Sequence, residues 1–124
     1  MKFDTSLPIY RQVVTAIKKD IVSGKIHPGD KLPSGRDLAV QYTINPNTSA
    51  KVYQELEQEG ICYTKRGLGT FVKEDLEMVT QIKSEMAEEL IVYFLKNMEE
   101  LGYTREEICS LIREEKELCW KASI

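Results

Sequence analysis

Residues 34–60 read SGRDLAVQYTINPNTSAKVYQELEQEG, and the punctuation of that run decides the fold. Ser34 followed three residues later by Asp37 resembles a capping box, in which side-chain oxygens satisfy the orphan N–H groups of a helix start. It opens a short helix through Leu38, Ala39 and Tyr42. Asn45-Pro46 then supplies an N-cap residue and a proline at the first helical position, where a missing N–H costs nothing. A second helix is expected from Pro46 to Glu59, burying Val52, Tyr53 and Leu56, with Gly60 as its stop. Only Thr43 to Asn45 separate the two, the short link of a helix-turn-helix.

Upstream, Pro8 suits a first helical turn, and Ile9, Val13, Ile17 and Ile21 recur every four residues, reinforced by Tyr10, Val14 and Ala16. That spacing predicts an amphipathic helix to about Ser23, stopped by Gly24, with Pro28-Gly29-Asp30 as a turn. Downstream the period changes. Ile61, Tyr63, Phe71 and Val72 flank Lys65-Arg66-Gly67-Leu68-Gly69, which reads as two short strands around a glycine-rich turn. Three helices and a two-stranded wing make a winged helix-turn-helix.

Beyond Glu74 the helical period returns through Leu76, Val79, Ile82, Met86, Leu90, Tyr93, Phe94 and Leu101, and Gly102 breaks it. Thr104 with Glu107 is a capping box for a last helix carrying Ile108, Leu111, Ile112 and Leu118. The fold class is therefore α+β, mainly α: an N-terminal winged helix-turn-helix over residues 1–75, then a C-terminal antiparallel two-helix hairpin over 76–124. Composition marks the same boundary. Residues 1–75 hold eleven Lys/Arg against nine Asp/Glu, whereas 76–124 hold six against eleven, a shift from +2 to −5. All four prolines lie at or before Pro46, and six of the seven glycines at or before Gly69.

The apolar stripe of the hairpin is too wide for two helices to cover alone. A two-fold homodimer is expected, with Leu76, Val79, Ile82, Met86, Leu90, Tyr93, Phe94, Ile108, Leu111, Ile112 and Leu118 at its interface.

Other classes fit poorly. The longest strongly apolar run, Leu90 to Leu95, falls far short of the roughly 20 residues that span a bilayer. Residues 1–20 carry Asp4, Arg11, Lys18, Lys19 and Asp20 with no apolar block, so a cytoplasmic protein without membrane contact is expected. Cys62, Cys109 and Cys119 match neither a disulfide framework nor zinc-ligand spacing, and read as reduced, packed thiols. The single histidine, His27, has no nucleophile arranged beside it, and the paired glutamates fall on polar helix faces. Gly67-Leu68-Gly69 does not open a helix after a buried strand, which excludes a dinucleotide loop. No enzyme, metal or cofactor is expected.

DNA suits the residues better. The start of the second motif helix would meet base edges, and there stand Asn45, Asn47, Thr48 and Ser49, with Ala50 and Lys51 next on the exposed side. Asn pairs bidentately with adenine, and Ser and Thr bond bases or phosphates. Arg36 sits in a first turn where helix electrostatics favour an acid, which suggests a phosphate or base contact. Lys65 and Arg66 at the wing tip, beside Gly67 and Gly69, suit a phosphate clamp or the minor groove. The expected DNA-facing set is Ser34, Arg36, Asn45, Pro46, Asn47, Thr48, Lys51, Lys65, Arg66, Gly67, Gly69 and Thr70. The rival reading, a winged helix that binds protein instead, calls for an apolar patch where this chain places Asn, Thr, Lys and Arg.

Several of these motifs together are specific. Pro8-Ile9-Tyr10-Arg11-Gln12, Ser23-Gly24-Lys25, Pro28-Gly29-Asp30-Lys31-Leu32-Pro33-Ser34 and Arg36-Asp37-Leu38-Ala39 resemble the DNA-binding domain of GntR-family transcriptional regulators. Asn45-Pro46-Asn47-Thr48, Tyr53-Gln54-Glu55-Leu56-Glu57 and Gly67-Leu68-Gly69-Thr70-Phe71-Val72 extend the likeness over roughly residues 7–73. The short tail and Asn-Pro-Asn-Thr are similar to the YtrA-like subfamily. The resemblance implies a bacterial repressor that dimerises through its tail on a palindromic double-stranded operator, often near transporter genes. It places the family's arginine contact on Arg36, its recognition-helix start on Asn45 to Thr48 and its wing glycine on Gly67. Gly35 stands where the family has glutamate, Ser49 where an apolar residue packs inward, and Ala50 where many relatives carry arginine. The residues name no small-molecule effector.

Overall fold

The computed structural model describes residue 3 and residues 5–114. The described elements are α1 (Ile9–Val22), α2 (Gly35–Tyr42), α3 (Pro46–Gln58), β1 (Cys62–Lys65), β2 (Gly69–Val72), α4 (Leu76–Glu100) and α5 (Arg105–Glu114). Packing divides the chain into two units, Met1–Lys83 and Ser84–Ile124, so the division falls within α4, about two helical turns beyond the composition boundary.

In the first unit α3 packs on both α1 and α2. Val13, Val14, Ile17 and Ile21 of α1 meet Leu38 and Ala39 of α2 and Val52, Tyr53 and Leu56 of α3 in one core, closed by Leu32, Ile61, Cys62 and Val72. Burying a side chain of that size contributes about 1.5–3 kcal/mol. Pro8 is the N-cap of α1 rather than its first helical residue. Ile9, expected on the buried stripe, is exposed. At the other end of α1, Lys18 Nζ lies 2.5 Å from Glu59 Oε1, tying it to the end of α3. Burial pushes the Cys62 thiol up to about 12, so it stays protonated, with the Glu57 charge adding to the effect.

β1 and β2 pair antiparallel, Cys62 with Val72 through Lys65 with Gly69, and the Tyr63 and Phe71 rings stack across the pair at 5.9 Å. The segment after the Pro28-Gly29-Asp30 turn adds a further rung to the far edge of β2. Gly29 N donates to Val72 O (2.9 Å), Val72 N to Asp30 O (2.9 Å) and Leu32 N to Thr70 O (2.8 Å). The turn itself was legible in the residues, but its pairing with β2 was not. That pairing gives the wing's second strand a neighbour on both sides.

In α4, Asp75 Oδ1 accepts from Glu77 N (3.0 Å) and Met78 N (3.3 Å) as the helix begins. α4 ends in a Schellman turn, with Tyr103 N donating to Met98 O (3.2 Å) and Gly102 N to Glu99 O (2.9 Å). The expected capping box opens α5, as Thr104 N donates to Glu107 Oε1 (3.0 Å) and Glu107 N to Thr104 Oγ1 (3.2 Å). Leu76, Leu90, Tyr93, Phe94 and Ile112 stand exposed, and Val79, Met86 and Leu111 are half-buried. Ile82 and Ile108, expected at the interface, are buried within the chain itself. Leu118 lies outside the described residues, as does Cys119. Cys109 is exposed on α5 rather than packed. Among the described residues, no helix is long and apolar enough to cross a membrane.

Candidate nucleic-acid interface

The interface is built from two helix starts and a wing tip. At the first start, Ser34 caps α2, its Oγ accepting from Asp37 N at 3.1 Å. That is one half of the expected box. Arg36 follows in the first turn, fully on the surface and, among the described residues, without an ion-pair partner.

The link between α2 and α3 closes through Thr43, whose backbone is left-handed at φ 55° and ψ 54°. Thr43 N donates to Val40 O (3.3 Å) and Ile44 N to Ala39 O (2.9 Å), a Schellman closure with threonine in the position glycine normally takes. A β-branched residue there is strained, yet the tight turn requires it. Nothing in the pattern of apolar residues announces this.

At the second start, Asn45 Oδ1 accepts from Asn47 N at 2.8 Å, and Pro46 occupies the first helical position. The Asn45 carbonyl oxygen is therefore engaged by its own helix, leaving its amide N–H groups for another molecule. Asn47 is exposed and Thr48 half-buried. Ser49 is a correction: expected among the residues at base edges, it is 0% exposed, and its Oγ has no hydrogen-bond partner among the described residues. It lies on the same helical face as Val52, Tyr53 and Leu56, which are spaced three, four and seven residues onward and also buried. Ala50 and Lys51 are exposed as expected. So is Gln54, which the sequence reading missed. It falls three residues beyond Lys51 and seven beyond Asn47, on one stripe, and a glutamine amide has the bidentate geometry that reads adenine. Helical spacing from Asn47 was the available signal.

The tip is a turn in which Leu68 N donates to Lys65 O at 2.9 Å. Gly67 there has φ 81°, the third position of a type II turn, and the space around its Cα is open. The glycine is thus required by its backbone angle. Lys65, Arg66 and Leu68 are exposed, while Gly69 and Thr70 are half-buried. Thr64 donates to Glu57, which fastens the wing to the side of α3, and Thr64 Oγ1 and Thr70 Oγ1 lie 3.4 Å apart across the two strands.

The α2 start and the wing meet in an open groove of about 760 Å³ lined by Lys31, Pro33, Ser34, Gly35, Leu68 and Thr70 with others. The groove brings together Ser34, Gly69 and Thr70 of the expected set. Tyr53 of α3 also lines it, and its hydroxyl donates to Pro33 O. Burial holds that phenol protonated, well above its ordinary value. Arg36, Asn47, Lys51 and Arg66 lie outside this groove. The chemistry on offer is amides, hydroxyls and uncompensated cations on convex elements, suited to a long polyanion with readable edges. Among the described residues, no three His, Cys, Asp or Glu side chains gather to hold a metal.

A family model for bacterial regulatory proteins, the gntR family, matches residues 9–72. The chain is 43% identical over 112 residues to the HTH-type transcriptional regulator YhcF of Bacillus subtilis, covering 90% of this chain and 93% of that one. It is 42% identical over 93 residues to the HTH-type transcriptional repressor YtrA of the same organism, covering 70% and 72%. The solved structure of a GntR family transcriptional regulator from Listeria monocytogenes superposes with a TM-score of 0.81 at 39% identity, covering 90% of this chain and 98% of that one.

Proposed function

Because the chain belongs to the GntR family of DNA-binding transcriptional regulators, alongside YtrA and YhcF, we propose that it is a cytoplasmic homodimeric repressor of a palindromic operator. The single observation that carries this reading is the division of α3. Ser49, Val52, Tyr53 and Leu56 are sealed in the core, while Asn47, Lys51 and Gln54 stand on the opposite, uncovered face.

In this reading the α3 start of each subunit enters a major groove. Asn47 and Thr48 meet base edges, and the positive end of the α3 dipole, with Pro46 fixing its direction, faces a phosphate. Arg36, Lys51, Lys65 and Arg66 neutralise phosphates, and the wing tip with Gly67 and Gly69 follows the backbone toward the minor groove. Residues 76–124 join two copies through the exposed Leu90, Tyr93 and Phe94 of α4 and Ile112 of α5. Two-fold symmetry then sets the recognition helices about 34 Å apart, one helical turn of DNA.

The test is fluorescence anisotropy with the DNA upstream of the protein's own operon, at two salt concentrations, beside light scattering for mass. Nanomolar binding by a particle of two chains, weakening steeply with salt, is the expected result. A single-chain particle, or equal affinity for operator and scrambled duplex, overturns it.

A further inference from the structure

On the DNA-binding reading above, on which this inference rests, Lys51 belongs to the exposed stripe of α3, and its surroundings are particular. Its Nζ lies 4.2 Å from the centroid of the Tyr10 ring in α1. Glu55, one helical turn along α3, is the carboxylate that i,i+4 pairing would offer to Lys51. That carboxylate instead lies 3.8 Å from Arg11 Nη1. The Arg11 guanidinium in turn sits 5.6 Å from the centroid of the same Tyr10 ring. Two neighbouring residues of α1 thus manage two residues of α3 that would otherwise meet each other.

The distinction matters to a phosphate. A carboxylate cancels an ammonium's charge, whereas an aromatic face holds the ammonium through its quadrupole and leaves the net charge intact. We propose that Tyr10 is a positioning residue of the DNA interface: its ring holds the ammonium of Lys51, which shares the exposed stripe of α3 with Asn47 and Gln54, with its charge uncompensated, while Arg11 keeps Glu55 away from it. The ligand group is a phosphate of the DNA backbone, and Tyr10 acts on it through Lys51.

The experiment is a double-mutant cycle on the full chain, read by anisotropy on two probes. One is a duplex that the wild type enriches from random-sequence DNA; the other is a mixed-sequence duplex at about 50 mM salt, where phosphate contacts dominate. Tyr10→Leu is expected to weaken binding about three- to five-fold on both probes, and Tyr10→Phe, which keeps the ring, to bind as wild type does. Lys51→Met is expected to lower the salt slope by about 1, and in that background Tyr10→Leu has no further effect. A loss from Tyr10→Leu that is the same with and without Lys51 overturns the proposal, as does a loss in Tyr10→Phe equal to that in Tyr10→Leu, or tighter binding by Tyr10→Leu. Melting curves accompany every variant; should Tyr10→Leu not fold, Tyr10→Met takes its place in the cycle. If no sequence is enriched, the operator reading falls, and the mixed-sequence probe still decides the part played by Tyr10.

Discussion

The winged-helix unit and the tail treat their apolar residues in opposite ways. In the first, three short helices and the wing bring Val13, Val14, Ile17, Leu38, Val52, Leu56 and Val72 almost wholly out of water. In the second, Leu90 is 63% exposed and Tyr93 69%, and Ile91, Val92, Phe94, Leu101 and Ile112 are exposed with them. Leu90 through Phe94 are consecutive, so they point around the whole circumference of α4. A stretch of helix apolar on every side is one meant to be surrounded. The first unit therefore specifies itself, and the second requires another surface. In the dimer proposed above a second copy is that surface, and assembly and DNA binding then become one thermodynamic event.

The comparison breaks most visibly in the tail. Replacing Leu90 and Phe94 together by Asp should leave the melting of the first unit unchanged, convert the dimer to a monomer by light scattering, and lower operator affinity by about 100-fold or more, because two half-sites no longer bind as one. If the doubly substituted chain remains a dimer, the tail is not the interface. The counterpart in the self-sufficient unit is Leu56→Ala. Its side chain is fully buried, so about 2–5 kcal/mol of stability should be lost in a denaturant melt. A loss below about 1 kcal/mol would mean that the core is looser than its burial indicates.

Smaller changes separate the roles of charged and amide groups within the first unit. Arg36→Ala should weaken binding to operator and scrambled DNA alike and lower the salt slope by about 1. Asn47→Ala should instead relax preference at one operator position, by about 1–3 kcal/mol, with the salt slope unchanged. Identical profiles for the two variants would refute the assignment. Smallest are two substitutions that should stabilise. Thr43→Gly removes left-handed strain from the turn, and Ser49→Ala removes a buried hydroxyl that has no hydrogen bond among the described residues. Each should raise the melting temperature by a few degrees, corresponding to about 1 kcal/mol. A fall for Ser49→Ala would show that its hydroxyl is satisfied in solution.

Much of this architecture was legible in the residues because its signals are local. Asn45-Pro46 and Thr104 with Glu107 mark helix starts through side chains that bond their own first turn, and Gly60 and Gly102 mark ends through backbone angles open to glycine. The wing could be read from two apolar runs around Lys65 to Gly69. Most of the missed features depend on residues far apart in the chain. The pairing of Gly29 to Leu32 with β2 joins segments about forty residues apart. Ile9 follows the spacing of a buried residue but is exposed. Ile82 and Ile108 share the pattern of the exposed tail residues and yet are buried. Gln54 was hidden in plain view, since a polar residue on a polar face carries no contrast.

By itself the sequence determined the order of elements, the stops and starts of each helix, and the polar character of the α3 start, because each rests on bonds within a few residues. Tertiary structure alone decided which neighbours the long polar side chains would meet: Lys51 onto Tyr10 and Arg11 onto Glu55. Periodicity records which residues share a helical face. Which face is buried, and which charge is cancelled, is settled only when α1, α2 and α3 pack and their side chains compete for the same neighbours.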